Sequence, residues 1–400
     1  MALTLDPRAA LPIDAQRATL VGRAWVPGPH PGPSPVLIEG EEVRDLSRRF
    51  PTLADLLAEP DPAAAARRAA AGAPVVGGLA ELLRDSAADL AGPGKAYFLA
   101  PCDLQPVKAC GVTFATSLLE RVIEEHARGN PAEAEAIRRK LAAEIGSDLA
   151  QVKPGSPAAA RLKDTLVARG LWSQYLEVGI GPEAEVFSKC PPLAAVGTGA
   201  EIGILRQSVW NNPEPEIVLA VSPAGAIVGA TLGNDVNLRD FEGRSALLLG
   251  RAKENNASCA IGPFLRLFDE SFTLDDVRDA NVALTVTGAD GFVLEGESSM
   301  AEISRDPQDL VAQTIGPHHQ YPDGVMLFLG TMFAPTQDRD APGQGFTHHP
   351  GDIVKIATPT LGTLVNRVAF ATEIRPWTFG TRALMRNLAA RGLLGLEQRG

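Results

Sequence analysis

The segment Asn-Asn-Pro-Glu-Pro-Glu-Ile-Val-Leu at residues 211–219 determines how the centre of this chain is expected to fold. Glu214 and Glu216 lie two residues apart at the start of an apolar run, so in a strand their side chains point to the same face. The turn signal Ser-Pro-Ala-Gly at 222–225 separates two apolar runs and predicts a hairpin whose returning strand ends near Asp235. Neighbouring carboxylates repel one another unless a cation lies between them, and three oxygen ligands favour Mg²⁺ or Mn²⁺. A second interpretation stays open here: the glutamates line a solvated strand edge, and Asp235 caps a turn.

Helices are predicted between residues 116 and 170, and strands dominate the chain after Trp172. The predicted helices run from a cap at Thr116 to Gly129, from Asn130-Pro131 to Gly146, and from Ser156-Pro157 to Gly170, with a last one at 382–391. These patterns predict an α+β fold. We expect a smaller N-terminal α+β domain at 1–98 and a larger, β-rich domain at 99–400, with a helical lid at about 116–170.

The charge balance argues against a nucleic-acid partner, because 37 Lys plus Arg oppose 48 Asp plus Glu and leave a net charge of −11. The first 16 residues contain three charged side chains and lack the apolar core of a secretory signal, so a cytoplasmic location is predicted. The uncharged stretch at 217–234 contains the turn signal and is predicted to be a hairpin, not a membrane helix. The sequence contains no Walker lysine loop, GxSxG elbow or HExxH helix, and the glycine-rich stretch at 197–203 misses the GxGxxG spacing.

Lys253 lies just before a run of small and apolar residues, where its ammonium could face an anionic substrate. A surface lysine is the alternative interpretation. The adjacent pairs at 318–319 and 348–349 are histidines that would point to opposite faces of a strand, so neither pair is predicted to be a zinc site.

Several motifs together resemble one known family. The order and spacing of Pro-Glu-Pro-Glu at 213–216, Asn-Asp at 234–235, Lys253 and Ile-Gly-Pro at 261–263 resemble the fumarylacetoacetate hydrolase superfamily. Within it, Leu-Trp-Ser-Gln-Tyr-Leu-Glu at 171–177, Asn-Asn-Ala-Ser-Cys at 255–259, Gly-Thr-Met-Phe-Ala-Pro at 330–335 and Pro-Trp-Thr-Phe-Gly at 376–380 resemble the bacterial branch of 2-keto-3-deoxy-D-xylonate dehydratases. The likeness runs from about residue 99 to residue 394 and implies a fumarylacetoacetase-type mixed β-sandwich roll. It also implies that Glu214, Glu216 and Asp235 bind Mg²⁺ and that Lys253 is catalytic.

In many hydrolases of this family a His that activates water occupies the place of Ser117. Without an imidazole, C–C hydrolysis is disfavoured, and Glu120 is left as the candidate acid and base, or else as part of a solvated helix face. The resemblance thus implies a hydro-lyase that converts a 2-keto-3-deoxypentonate to 2,5-dioxopentanoate in pentose catabolism. The candidate substrate-binding residues are Arg239, Ser299, Thr331 and Gln344.

Two other functions stay open from the sequence. One is an acylpyruvate or fumarylpyruvate hydrolase that uses the same metal, and the other is a keto acid-binding protein without turnover. The resemblance implies a homodimer or homotetramer whose partner is a small 2-keto-3-deoxy sugar acid, with neither a nucleic acid nor a membrane as partner.

Overall fold

The computed structural model describes residues 3–92 and 94–395, with backbone alone at 140, 142–148, 150 and 151. Its strands are β1 Leu20–Val26, β2 Gly32–Glu39, β3 Glu42–Asp45, β4 Val75–Gly78, β5 Tyr97–Leu99, β6 Val107–Gly111, β7 Glu185–Cys190, β8 Glu201–Ile204, β9 Asn211–Asn212, β10 Pro215–Val221, β11 Ile227–Asp235, β12 Asn237–Leu238, β13 Cys259–Leu267, β14 Asn281–Thr287, β15 Val293–Ser299, β16 Val325–Phe328, β17 Ile353–Thr358 and β18 Gly362–Phe370. Its helices are α1 Leu53–Leu57, α2 Pro62–Ala70, α3 Leu79–Ser86, α4 Ala115–His126, α5 Pro131–Gln151, α6 Pro157–Ala168, α7 Gln174–Ile180, α8 Arg239–Glu242, α9 Leu249–Lys253, α10 Leu274–Arg278, α11 Pro307–Thr314 and α12 Thr381–Ala390. Across the described ranges, no helix has both the length and the apolar character that a bilayer crossing needs.

Two large β-sheets organise the molecule. The first has 11 strands in the order β4-β3-β2-β1-β13-β11-β10-β16-β6-β7, and β5 pairs with β1. The second has five strands in the order β15-β14-β17-β18-β8. Strands β10, β11 and β13 are antiparallel, whereas β16 runs parallel to β6. The predicted combination of helices with large β-sheets is confirmed.

The predicted hairpin is formed by β10 and β11. Gly225 provides the turn with a φ of +80°, a conformation that glycine adopts without a steric penalty. Along β10, Ile217 and Leu219 pack into the core between the two sheets, whereas Val218 and Ala220 pack into a core on the opposite face. Because a hydrophobic core covers each face of β10, its sequence from Ile217 onward is continuously apolar and does not alternate with polar residues.

The helices α4, α5 and α6 lie where the sequence predicted helices. The predicted start of α4 and the predicted end of α5 need correction. Helix α4 begins at Ala115 with Phe114 as its N-cap residue, so Thr116 lies inside the first turn and is not the cap. Helix α5 starts after Asn130 as predicted but continues through Gly146 to Gln151. A glycine ends a helix when the chain turns left-handed there, as at Gly170 with a φ of +69° after α6, and a helical glycine costs only about 1 kcal/mol.

The N-terminal strands join the large sheet directly. Leu20 of β1 pairs with Arg266 of β13, and α1 and α2 contribute buried residues to the core on the outer face of that sheet. The division of the chain at residues 98 and 99 stays a prediction, and residues 1, 2, 93 and 396–400 of the two predicted domains lie outside the described residues.

Candidate metal and active site

Three buried carboxylates meet at the open end of the β10–β11 hairpin. One oxygen from each of Glu214, Glu216 and Asp235 lies within 4.8 Å of the other two. The hairpin register explains this convergence, because Glu216 pairs with Gly233 and the Asp235 amide donates to the Glu214 carbonyl at 3.1 Å. The predicted cluster is therefore present, and its side chains are buried instead of lining a solvated edge. This donor set matches the hard oxygen ligands that Mg²⁺ and Mn²⁺ take.

Two lysines neutralise part of this negative charge. The Lys253 ammonium, at the end of α9, donates to Glu214 Oε2 at 2.7 Å and to Asp235 Oδ2 at 3.0 Å. Burial lowers the pKa of Lys253, but the charges of Asp235 and Glu214 outweigh burial and hold this pKa above its usual value. Lys189 of β7 places its Nζ 2.6 Å from Asp235 Oδ1, at ion-pair distance. Lys253 is thus a buried cation of the site and not a surface lysine.

Of the three carboxylates, Glu216 has the fewest direct contacts that offset its negative charge. Its Oε2 accepts a hydrogen bond from the Gly330 amide at 2.6 Å. Burial, reinforced by the charges of Asp235 and Glu214, raises the pKa of Glu216 well above its usual value. A cation between the three carboxylates would remove this repulsion, so the residues fit a divalent metal ion.

Helix α4 contacts the carboxylate cluster through Arg121. Its guanidinium donates to Glu214 Oε1 at 2.5 Å and lies 3.2 Å from Glu242 Oε2. It also pairs with Glu124 one turn further along the helix. The helical segment at 116–170 is therefore tied to the site by a buried ion pair.

A small cavity of about 20 Å³ lies at the cluster, which is room for about one water molecule. Its walls are formed by Cys110, Gly111, Val112, Ser117, Arg121, Glu185, Phe187, Glu214, Glu216, Asp235, Glu242, Lys253, Gly330 and Thr331. Ser117 and Thr331 thus lie at the carboxylate cluster, and their catalytic and substrate-binding roles stay predictions. The Ser117 hydroxyl donates to the Phe114 carbonyl at 3.1 Å.

Four other candidates do not line this cavity. Glu120 accepts two hydrogen bonds from Arg138, at 2.7 and 2.8 Å, and one from Arg239 at 3.2 Å. Burial disfavours the ionised form of Glu120 and by itself would raise its pKa. The charges and hydrogen bonds of the arginines have the larger effect, so the pKa of this carboxyl lies below its usual value. The Ser299 amide donates to the Met332 sulfur at 3.0 Å, and Gln344 is exposed in a loop. The catalytic role of Glu120 and the substrate roles of Arg239, Ser299 and Gln344 stay predictions.

Arg239 forms the centre of a buried ionic network next to the cavity. Its guanidinium donates to Glu124 at 2.6 Å and to the Pro335 carbonyl at 2.9 Å, and it stacks on the Trp210 ring at 4.2 Å. These contacts fix α4, α8 and the loop at 335 relative to one another. Arg239 therefore has a structural role in addition to any contact with substrate.

Replacing Arg239 by Met should lower the free energy of unfolding by about 3–5 kcal/mol, because buried Glu120 and Glu124 would each lose one of their two arginine partners, and a hydrogen bond to a charged group contributes about 1.5–3 kcal/mol. Chemical denaturation measures this change. The control is Arg206→Met, which removes an exposed ion pair with Glu373 and should cost at most about 1 kcal/mol. Equal stability of the two variants would contradict a structural role for Arg239.

Glu185 is a cavity residue that the sequence analysis missed. It lies on β7 opposite Gly111 of β6, and a Cβ at Gly111 would come within 1.9 Å of Glu185 Oε2. The glycine therefore leaves the space that this carboxylate occupies. Burial and the charge of Glu242 raise the pKa of Glu185 to about 7. A carboxyl that titrates near neutral pH is suited to acid–base catalysis.

The fold and the carboxylate cluster agree with comparisons to known proteins. Residues 191–369 match the model of the fumarylacetoacetate (FAA) hydrolase C-terminal family. This part of the chain is therefore a domain of the fumarylacetoacetate hydrolase superfamily, as the motifs predicted.

Two relatives in sequence and one solved structure are similar to this chain. The chain is 30% identical over 194 residues to a probable 2-keto-3-deoxyxylonate dehydratase of Haloferax volcanii, and 29% identical over 194 residues to a 2-dehydro-3-deoxy-D-arabinonate dehydratase of Saccharolobus solfataricus. Each match covers 48% of this chain, and 63% and 61% of the two relatives, so it spans less than two thirds of their length. A solved 2-keto-3-deoxy-D-arabinonate dehydratase in complex with magnesium and 2,5-dioxopentanoate superposes with a TM-score of 0.57 at 20% identity, over 88% of this chain and 99% of that one. This superposition supports the fold.

Proposed function

We propose that this protein is a divalent-metal-dependent dehydratase that converts a 2-keto-3-deoxypentonate to 2,5-dioxopentanoate. The observation that carries the proposal is the convergence of three buried carboxylates, Lys253 and Glu185 in one cavity. The similarity to a probable 2-keto-3-deoxyxylonate dehydratase and to a 2-dehydro-3-deoxy-D-arabinonate dehydratase supports dehydration of a sugar acid of this class. The substrate we favour is 2-keto-3-deoxy-D-xylonate, as part of pentose catabolism.

Glu214, Glu216 and Asp235 would hold Mg²⁺, or Mn²⁺ in its place. When bound, the cation would draw electron density from the C1 carboxylate and C2 keto group of the substrate and make the C3 protons more acidic. Lys253 favours the ionised forms of Glu214 and Asp235 and adds a positive charge to the cavity in which the C2 oxygen gains negative charge.

Glu185 is the proton carrier in this proposal. Its carboxylate takes a proton from C3, and the acid so formed returns the proton to the C4 hydroxyl, which leaves as water. The resulting C3=C4 double bond becomes the C5 aldehyde when a proton moves from C5 to C3 and the enol formed tautomerises. Glu120 was the expected carrier, but it does not line the cavity and two arginines hold its charge. Ser117 lines the cavity and is placed to orient a water molecule.

Substrate entry requires movement of the helical segment at 116–170. A cavity of about 20 Å³ cannot hold a five-carbon acid, and Arg121 of α4 occupies one wall. Release of the ion pair between Arg121 and Glu214 would let α4 move away, and closure would then exclude water from the reaction. The segment is therefore proposed to act as a lid.

The proposal also covers location, assembly and domain division. We propose that the protein is cytoplasmic and that it forms a homodimer or homotetramer. We further propose that residues 1–98 form a small N-terminal α+β domain whose strands extend the large sheet.

The proposal is tested by measuring aldehyde release from 2-keto-3-deoxy-D-xylonate and 2-keto-3-deoxy-D-arabinonate, with Mg²⁺ and with a chelator. An acylpyruvate, whose cleavage is followed by loss of its enol absorbance, is run in parallel. Chelator-sensitive release of 2,5-dioxopentanoate is the expected result. Cleavage of the acylpyruvate alone would replace the dehydratase by a hydrolase, and binding of pyruvate without any turnover would indicate a keto acid-binding protein.

A further inference from the structure

A second cavity is far larger than the carboxylate site and is formed by other parts of the chain. Its volume is about 660 Å³, within the range of small-molecule binding sites. Strands β1 and β5 form its floor, and the segment at 374–379 forms one rim. None of the residues that line it belongs to the carboxylate cluster of Glu214, Glu216 and Asp235.

The floor of this groove carries a buried arginine that has no ion pair within 4.0 Å among the described residues. Arg23 of β1 is 5% exposed, and its Nε and Nη1 have no hydrogen-bond partner among the described residues. The charge of Asp103 opposes the fall that burial causes in the pKa of Arg23, but no ion pair within 4.0 Å joins Arg23 to a described carboxylate. The nearby Asp103 is already engaged, because it accepts hydrogen bonds from the amides of Leu53, Ala54 and Leu104. A buried guanidinium with two unsatisfied nitrogens is costly, and an anionic ligand in the groove would add the hydrogen-bonded counter-charge that Asp103 does not provide.

Aromatic side chains surround this cation. Trp25 and Tyr97 sit on paired strands with their rings nearly parallel, at 16° and 6.3 Å between centroids, and Phe379 meets Trp25 edge-on at 5.4 Å. Trp377 is 48% exposed at the rim, and its indole donates to the Phe379 carbonyl at 3.1 Å. These side chains form a rigid apolar wall for a flat ligand.

The charges at the rim also favour an anion. Arg375 lies on the rim, close enough to Tyr97 for its charge to oppose the rise that burial causes in the pKa of that phenol. The one carboxylate among the described lining residues is Glu201, and its Oε1 is paired with Arg367 at 2.8 Å. The groove is thus locally cationic in a chain whose net charge is −11.

We propose that this groove binds a small aromatic carboxylic acid, with its carboxylate on Arg23 and its ring against Trp25, Tyr97 and Trp377. A guanidinium presents two parallel N–H groups that match a carboxylate. A carboxylate fits better than a phosphate dianion, because removing a second charge from water into an apolar groove has a larger desolvation cost. The inference does not depend on the proposed dehydratase activity.

The test is calorimetric titration of the full chain with 2-naphthoate in the presence of a chelator. The neutral 2-naphthamide serves as a matched probe, and the chelator keeps metal from the carboxylate cluster, whose negative charge then disfavours binding of the acid there. We expect saturable binding of the acid and at least about tenfold weaker binding of the amide, as loss of a charge-assisted hydrogen bond predicts. Equal affinity for acid and amide, or no saturable heat with either, would overturn the proposal.

Three groove variants and one control test where 2-naphthoate binds. Arg23→Met should weaken 2-naphthoate binding by about 10–100-fold, and the surface changes Arg375→Met and Trp377→Ala should weaken it by about fivefold each. The two surface variants keep the proposal testable if the Arg23 variant does not fold. Arg84→Met, which removes an exposed arginine of α3 outside the groove, should leave binding unchanged. Unaltered binding in all three groove variants would contradict the site, and displacement of 2-naphthoate by inorganic phosphate would contradict a carboxylate ligand.

Discussion

Replacing Glu216 by Gln is expected to lower metal-dependent kcat/KM by at least about 10³-fold. The substitution removes one charge from the three-carboxylate cluster, and a catalytic metal supplies several kcal/mol of charge stabilisation. Since about 1.4 kcal/mol corresponds to a factor of ten, loss of the metal alone accounts for this decrease. Aldehyde release from the 2-keto-3-deoxypentonate at saturating Mg²⁺ measures it.

The fold should survive this change. The introduced amide side chain retains an oxygen that can accept the hydrogen bond from the Gly330 amide, and its neutrality relieves the repulsion with Glu214 and Asp235. Thermal unfolding without metal should therefore occur at the wild-type temperature or above it. Glu295→Gln, at an exposed position of β15, is the matched control and should be fully active. Wild-type turnover in the Glu216 variant would remove Glu216 from the metal site.

Local signals were sufficient to predict many elements but not the order of the strands. The hairpin of β10 and β11 follows from its turn signal, and α6 follows from its proline start and glycine end, because both depend on neighbouring residues. The pairing of Leu20 with Arg266 joins distant parts of the chain, and no local pattern encodes it.

The carboxylate cluster was predicted because one hairpin forms it, whereas two charged residues from a separate strand were missed. Glu214, Glu216 and Asp235 come from paired strands, so their spacing is informative. Lys189 and Glu185 arrive from β7, whose sequence resembles that of an ordinary strand. Only the tertiary structure brings β7 next to the hairpin.

Helix geometry provided one signal that was overlooked. Residues four apart on a helix differ by about 40° in direction, whereas successive residues differ by about 100°. If Ser117 faces the cavity, Arg121 is expected to face it too, whereas the spacing alone does not place Glu120, because residues three apart differ by about 60°. The structure has Ser117 and Arg121 on the cavity wall and Glu120 bound by Arg138.

Glu185→Gln is the second change for which we expect a large effect. A positioned acid–base group contributes about 10²–10⁴-fold to the rate, so kcat should fall by that factor. The carboxylate is the form that accepts the C3 proton, and burial and the charge of Glu242 raise the pKa of Glu185 to about 7. Wild-type activity should therefore decrease as the pH falls through about 7, since protonated Glu185 cannot accept a proton. The residual activity of the Gln variant should lack this acidic limb between about pH 5 and 9.

Two further variants separate proton transfer from packing. Glu183→Gln, two residues earlier at an exposed position, should keep both the rate and the pH profile. Gly111→Ala leaves Glu185 in the chain, but the added Cβ would lie 1.9 Å from the present Oε2 position and must displace the carboxylate. It should therefore lower kcat while Mg²⁺ still stabilises the protein against heat. If Glu185→Gln instead keeps the wild-type rate and its acidic limb, the proton is carried by another group, and Glu120 becomes the next residue to replace.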